Sequence, residues 1–214
     1  EPTDDKPFET YTEIGPCPWN KDHELLLIGT KTKSIIAKNL PQANLVFLID
    51  VSGSMGTPNK LPLVKESLNL LVDQMREQDL ISIVVYAGSS GLALPPTSGK
   101  EKTKIKNTIN LLESGGSTAG GAGIELAYKT AIENFKTNGN NRVILATDGD
   151  FNVGISNEND LERLIEDKRK SGVFLTCLGF GMGNYKDSKL EILADKGNGQ
   201  YAYINDIKEA KKLF

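Results

Sequence analysis

Leu45-Val46-Phe47-Leu48-Ile49-Asp50-Val51-Ser52-Gly53-Ser54-Met55 is the stretch on which the fold of this chain turns. Its opening is an unbroken apolar run, the pattern of a strand buried on both faces. The Asp50 carboxylate and the Ser52 and Ser54 hydroxyls therefore fall where a central strand stops and a Gly-containing loop begins. In open α/β sheets, ligands bind at such strand ends. Three hard oxygen donors spaced two apart suit a hard divalent cation better than bond-making chemistry.

Outward from this stretch, strand and helix patterns alternate. A helix is predicted from about Lys60, with Pro62 in its first turn and Val64, Leu68, Leu71 and Met75 on one face. Leu80 to Tyr86 reads as the next strand. Gly91 to Leu94 reads as a short strand reached by a tight turn at Gly88-Ser89-Ser90, too short for a crossover helix and hence antiparallel. Lys102 to Leu112 has helical periodicity. The Gly-rich segment Gly115 to Gly123 leads into a helix ending near Phe135, and Arg142 to Thr147 is a strand ending at Asp148-Gly149-Asp150. Helix 159–171, strand 173–179, helix 187–197, strand 200–204 and a last helix from Asp206 follow.

Repeated β-α units predict an α/β fold, doubly wound, with a mostly parallel central sheet, one short antiparallel edge strand and helices on both faces. Residues 43–214 form this domain. Residues 1–42 read as an N-terminal arm and small β extension, with 1–10 a disordered lead or extended arm. Glu24 to Ile28 and Lys33 to Ala37 are its β-like pieces, with a turn at Gly29.

The chain has 214 residues, 25 Lys and Arg against 28 Asp and Glu, and hence a formal charge of -3. That balance asks for neither nucleic acid nor an anionic membrane. No apolar stretch approaches the roughly 20 residues of a spanning helix, so no membrane insertion is expected. No signal peptide is visible, which does not locate the protein. Cys17 and Cys177 are too few for an ordinary zinc site, and Cys177 lies in an apolar strand as a buried thiol. His23 is the only histidine and lacks a motif, which argues against Ser-His-Asp or Cys-His catalysis.

Oxygen-bearing residues end separate segments at strand-to-loop junctions: Asp50, Ser52 and Ser54, then Thr118 in the Gly-rich turn, then Asp148. The strands before Asp50 and Asp148 are the most apolar and should be central neighbours. Here the sequence resembles the von Willebrand factor A-domain family over about 43–214. The signature of that family's metal-ion-dependent adhesion site is Asp-x-Ser-x-Ser, a distant Thr and a distant Asp. It matches as Asp50, Ser52, Ser54, Thr118 and Asp148. Within the family the chain looks most like bacterial YfbK-like proteins, on Gly115 to Gly123 and Thr147 to Gly154.

The resemblance implies Mg²⁺, with Mn²⁺ or Ca²⁺ as alternatives. The serines would coordinate directly, the Thr directly or through water, and the carboxylates often through bridging waters. Neutral hydroxyls leave the ion electron-poor, so an open position attracts an Asp or Glu from a partner protein. Asp150 and Asn152 would orient waters or loop amides, or else close the turn through their own backbone. The expected function is divalent-cation-dependent protein binding in adhesion or assembly, without catalysis or an organic cofactor. It would be a module of a larger multidomain protein in a bacterial cell envelope or extracytoplasmic space.

Two other readings compete. One is a Mg-dependent phosphatase or phosphotransferase with Asp50 as nucleophile, although Ser52 stands where an acid/base carboxylate would be needed. The other is a metal-independent scaffold. Gly115 to Gly123 lacks the ending of a phosphate loop, and Gly179 to Gly183 lacks dinucleotide spacing.

Overall fold

The computed structural model describes residues 2, 6–33, 39–116, 121–149, 158–181 and 187–213. The chain divides into two compact units, Glu1–Leu40 and Pro41–Phe214.

The first unit is an antiparallel ribbon of β1 (Phe8–Pro16) and β2 (Glu24–Thr32), joined by a loop in which the Cys17 N–H donates to the His23 carbonyl at 3.1 Å. Two expectations are corrected here. Residues 8–10 belong to a regular strand, and Gly29 lies inside β2, where it pairs with Tyr11. A Cβ at Gly29 would collide with the Tyr11 ring, which lies across the bare backbone and fills the gap the missing side chain leaves. The partner of the Glu24–Ile28 piece is therefore β1; most of the 33–37 piece lies outside the described residues. Both faces of the ribbon carry exposed apolar side chains among the described residues: Phe8, Ile14, Leu26 and Ile28 share one, Tyr11, Leu25 and Leu27 the other.

The second unit is a six-stranded sheet in the order β5-β4-β3-β6-β7-β8. Its strands are β3 (Ala43–Asp50), β4 (Leu80–Tyr86), β5 (Ser90–Ser98), β6 (Asn140–Thr147), β7 (Phe174–Phe180) and β8 (Tyr201–Ile204). All pairs are parallel except β4–β5. The antiparallel edge strand is longer than the sequence pattern indicated. Pro95 and Pro96 lie in it, and the pairing register with β4 shifts twice, as edge strands allow.

Alternate residues of β3 are buried on opposite faces of the sheet. Leu45, Phe47 and Ile49 pack against α1 (Leu61–Gln74), α2 (Lys102–Asn110) and α6 (Ile207–Leu213), whereas Val46 and Leu48 pack against α3 (Gly121–Glu133), α4 (Glu158–Arg169) and α5 (Asp187–Lys196). Each helix contributes residues at helical spacing, such as Val64, Leu68 and Val72 on α1. The result is the expected doubly wound sandwich.

The chain begins this sheet at its centre. It winds outward through β4 and β5, then returns to place β6 on the other side of β3. The winding reverses between β3 and β6, and a crevice at such a reversal is where doubly wound folds bind ligands. Asp50 ends β3 and Asp148 immediately follows β6, so the topology puts both carboxylates at this switch point.

Candidate metal centre

Asp50 is fully buried, and the surrounding backbone and side chains fix both of its oxygens. Oδ1 accepts the Ser52 N–H at 2.9 Å. Oδ2 accepts the Tyr86 hydroxyl at 3.2 Å and the Thr147 hydroxyl at 3.1 Å. Burial lifts the Asp50 carboxyl above its ordinary range. Hydrogen bonds from Ser52 oppose the shift, the Asp148 charge adds to it, and Thr147 draws it back. The Asp148 carboxylate is thus near enough for its charge to disfavour ionisation of Asp50.

A single turn of 3-10 helix, Gly53–Gly56, follows β3, with Met55 buried beneath it as packing. The turn brings the Ser52 and Ser54 hydroxyls to 3.1 Å from each other. Ligands 2.0–2.1 Å from an octahedral ion lie about 3 Å apart along each cis edge, so this spacing suits two neighbouring ligands of Mg²⁺. Ser52 is buried and Ser54 is exposed, which leaves the pair open on the solvent side.

Gly115 N–H donates to the Val51 carbonyl at 2.8 Å, and Gly53 N–H to the Gly116 carbonyl at 3.2 Å. The stem of the Gly-rich segment is therefore tied to the Asp50 loop by its backbone. Thr118 itself, like Asp150 and Asn152, lies outside the described residues. Asp148 is nearly buried, and its Oδ2 accepts the Lys60 ammonium at 2.8 Å. Gly149, at φ +94°, turns the chain directly after Asp148 and returns its N–H to the Thr147 hydroxyl at 3.3 Å.

The donor set is therefore carboxylate and hydroxyl oxygen, the chemistry a hard divalent cation requires. No group of three or more His, Cys, Asp or Glu that could hold a metal occurs among the described residues. A metal centre here depends on hydroxyls. Tyr86, Thr147 and Lys60 were not visible as site residues in the sequence. Only Thr147, adjacent to Asp148, carried a local hint.

The von Willebrand factor type A domain model matches residues 44–214. The chain belongs to this family. YfbK of Escherichia coli K12, an uncharacterized protein, is 48% identical over 207 residues, covering 97% of this chain and 36% of that protein. The chain thus spans about a third of that curated relative's length. Among solved structures, the manganese-loaded TRAP protein of Plasmodium vivax superposes with a TM-score of 0.65 at 17% identity, covering 97% of this chain and 76% of that one. Proximal thread matrix protein 1 from the mussel byssus, with a zinc-occupied adhesion-site motif, gives 0.64 at 24% identity, covering 81% and 46%. These likenesses establish the type A fold.

Proposed function

We propose that the domain is a divalent-cation-dependent protein-binding module and not an enzyme. The observation that carries this is the pairing of the Ser52 and Ser54 hydroxyls, 3.1 Å apart, beside the buried Asp50 carboxylate at the switch point. Asp50, Ser52, Ser54, Thr118 and Asp148 would hold the ion, Mg²⁺ in the first instance with Mn²⁺ or Ca²⁺ as alternatives. When bound, the ion supplies an electrophilic coordination position for an Asp or Glu of a partner protein. The manganese of the Plasmodium protein and the zinc of the mussel protein support a divalent ion here.

The chain's own residues do the rest. Tyr86 and Thr147 hold Asp50 in one orientation, and exposed Ser54 keeps the crevice accessible to a macromolecular ligand. The same hydrogen bonds weigh against phosphoryl transfer. A nucleophilic carboxylate needs a free, accessible oxygen, whereas both Asp50 oxygens accept hydrogen bonds beneath the surface.

We place residues 43–214 as the binding domain of a longer, envelope-associated bacterial protein. Immobilised chain exposed to envelope extract in Mg²⁺ should retain proteins that EDTA releases and that an Asp50→Ala chain does not hold. Identical retention by both chains, with and without EDTA, would overturn the proposal.

A further inference from the structure

Lys60 precedes α1, and its side chain reaches two of the loops of the candidate metal centre. The ammonium donates to the Ser54 carbonyl at 3.1 Å and to Asp148 Oδ2 at 2.8 Å, thereby joining the two loops that carry the oxygen donors. Its stem lies along Gly181, just beyond β7. A Cβ at Gly181 would stand 2.7 Å from Lys60 Cε and 2.9 Å from Cγ, and the φ of +94° there already favours glycine. The Gly181 carbonyl in turn accepts the Tyr203 hydroxyl. The lysine stem thus runs in a groove that a larger residue would close, and the groove directs its charge at Asp148.

An ammonium is a compact, strongly hydrated point charge, and a mostly buried carboxylate is a costly place to leave a charge unpaired. In the metal-free protein the lysine supplies the positive charge that the carboxylates require. A divalent ion drawn to the same carboxylates meets the ammonium as a like charge in a site where screening is weak.

We propose that Lys60 is a tethered cation that occupies Asp148 until a divalent ion displaces it, and that it thereby sets the concentration of ion at which the centre fills. Lys60's role rests on the assignment of Asp50, Ser52, Ser54 and Asp148 as the metal centre. The consequence differs from that of a purely structural lysine. Removing a structural support weakens ion binding, whereas removing a competitor strengthens it.

Calorimetric titration of the full chain with MgCl₂ and with MnCl₂ tests this, using wild type, Lys60→Met and Asp50→Ala. Methionine keeps the length and apolar body of the stem without its charge. Lys60→Met should bind both ions about ten-fold more tightly than wild type, the scale of one charge-assisted hydrogen bond no longer broken on binding. Equal or weaker binding would overturn the proposal.

A second measurement needs no variant at Lys60. Acylation of the Lys60 amine by an N-hydroxysuccinimide ester, followed by peptide mass spectrometry, should accelerate at saturating Mg²⁺ in wild type and stay unchanged in Asp50→Ala. A rate that saturating Mg²⁺ leaves unchanged or lowers in wild type would overturn the proposal even if Lys60→Met fails to fold. Wild type that binds neither ion would overturn the metal centre itself and Lys60's role with it. Wild-type binding that Asp50→Ala abolishes keeps the centre whatever the outcome for Lys60.

Discussion

Asp50 and Tyr86 are register partners at the ends of β3 and β4, and the Tyr86 hydroxyl donates to Asp50 Oδ2 at 3.2 Å. Thr147, on the opposite neighbour β6, donates to the same oxygen at 3.1 Å. The carboxylate is gripped from both flanking strands, and partners of this kind fix the orientation of metal ligands. Tyr86→Phe and Thr147→Val should each weaken Mg²⁺ binding by about ten-fold while leaving the fold intact. Calorimetric titration measures the first effect and far-ultraviolet circular dichroism the second.

Saturating ion should stabilise the folded chain. At a hundred times the dissociation constant the gain is about 2.7 kcal/mol, or roughly 5–10 °C in Tm for a domain of this size. Differential scanning calorimetry with and without MgCl₂ should give this rise in wild type and none in Asp50→Ala.

Asp79 is held by hydrogen bonds at the other end of the sheet. Its carboxylate accepts the Ala43 N–H at 2.8 Å, the Arg76 N–H at 2.9 Å, and a two-pronged grip from the Arg76 guanidinium at 2.9 and 2.7 Å. Burial raises its pKa, but the Arg76 and Ala43 hydrogen bonds outweigh burial and the net direction is down. Because the folded value lies below the unfolded one, the unfolded chain takes up the proton first. The stabilisation is therefore complete above the ordinary carboxylate range and is lost as pH falls through the depressed folded value. Asp79→Asn should cost about 2–3 kcal/mol at neutral pH, and less near pH 3, in urea denaturation.

Tyr128 is fully buried between α3 and the sheet, and its hydroxyl has no hydrogen-bond partner among the described residues. Burial raises the phenol above its usual range, which keeps it neutral. Tyr128→Phe removes a desolvated oxygen and little else, so it should leave stability unchanged or raise it by about 1 kcal/mol. Thermal denaturation would register the gain as a few degrees.

Gly199 lies where the chain leaves α5 for β8, after Asn198 at φ +52°. A Cβ there would stand 1.5 Å from the Leu175 carbonyl oxygen, a backbone atom of β7 that cannot swing aside. Gly199→Ala should cost on the order of 4 kcal/mol or more, visible as loss of folded protein in the soluble fraction.

The central strands were legible because β3 and β6 are buried on both faces, which leaves a short, β-branched apolar run that ends at turn residues. The placement of Asp50, Ser52, Ser54 and Asp148 at strand ends was legible for a related reason. The strand ends fix where they emerge, and the structure brings the Asp50 and Asp148 ends side by side. Lys60 was not legible, because its contact with Asp148 spans 88 positions and exists only once β3, α1 and β6 are assembled. Tyr86 was read only as the last residue of a strand, since register decides what its hydroxyl meets. Gly29 misled because glycine in a β pattern reads as a turn. Its pairing with Tyr11 is a cross-strand relationship that no local window contains.

The β1–β2 ribbon has a practical consequence of its own. A two-stranded sheet of this kind is marginal in water, and among the described residues each strand offers one flank of backbone groups beside uncovered leucine, isoleucine and aromatic side chains. Such a flank recruits whatever extended polypeptide comes near it. In a concentrated preparation of this chain the first self-association should therefore start at Phe8–Thr32.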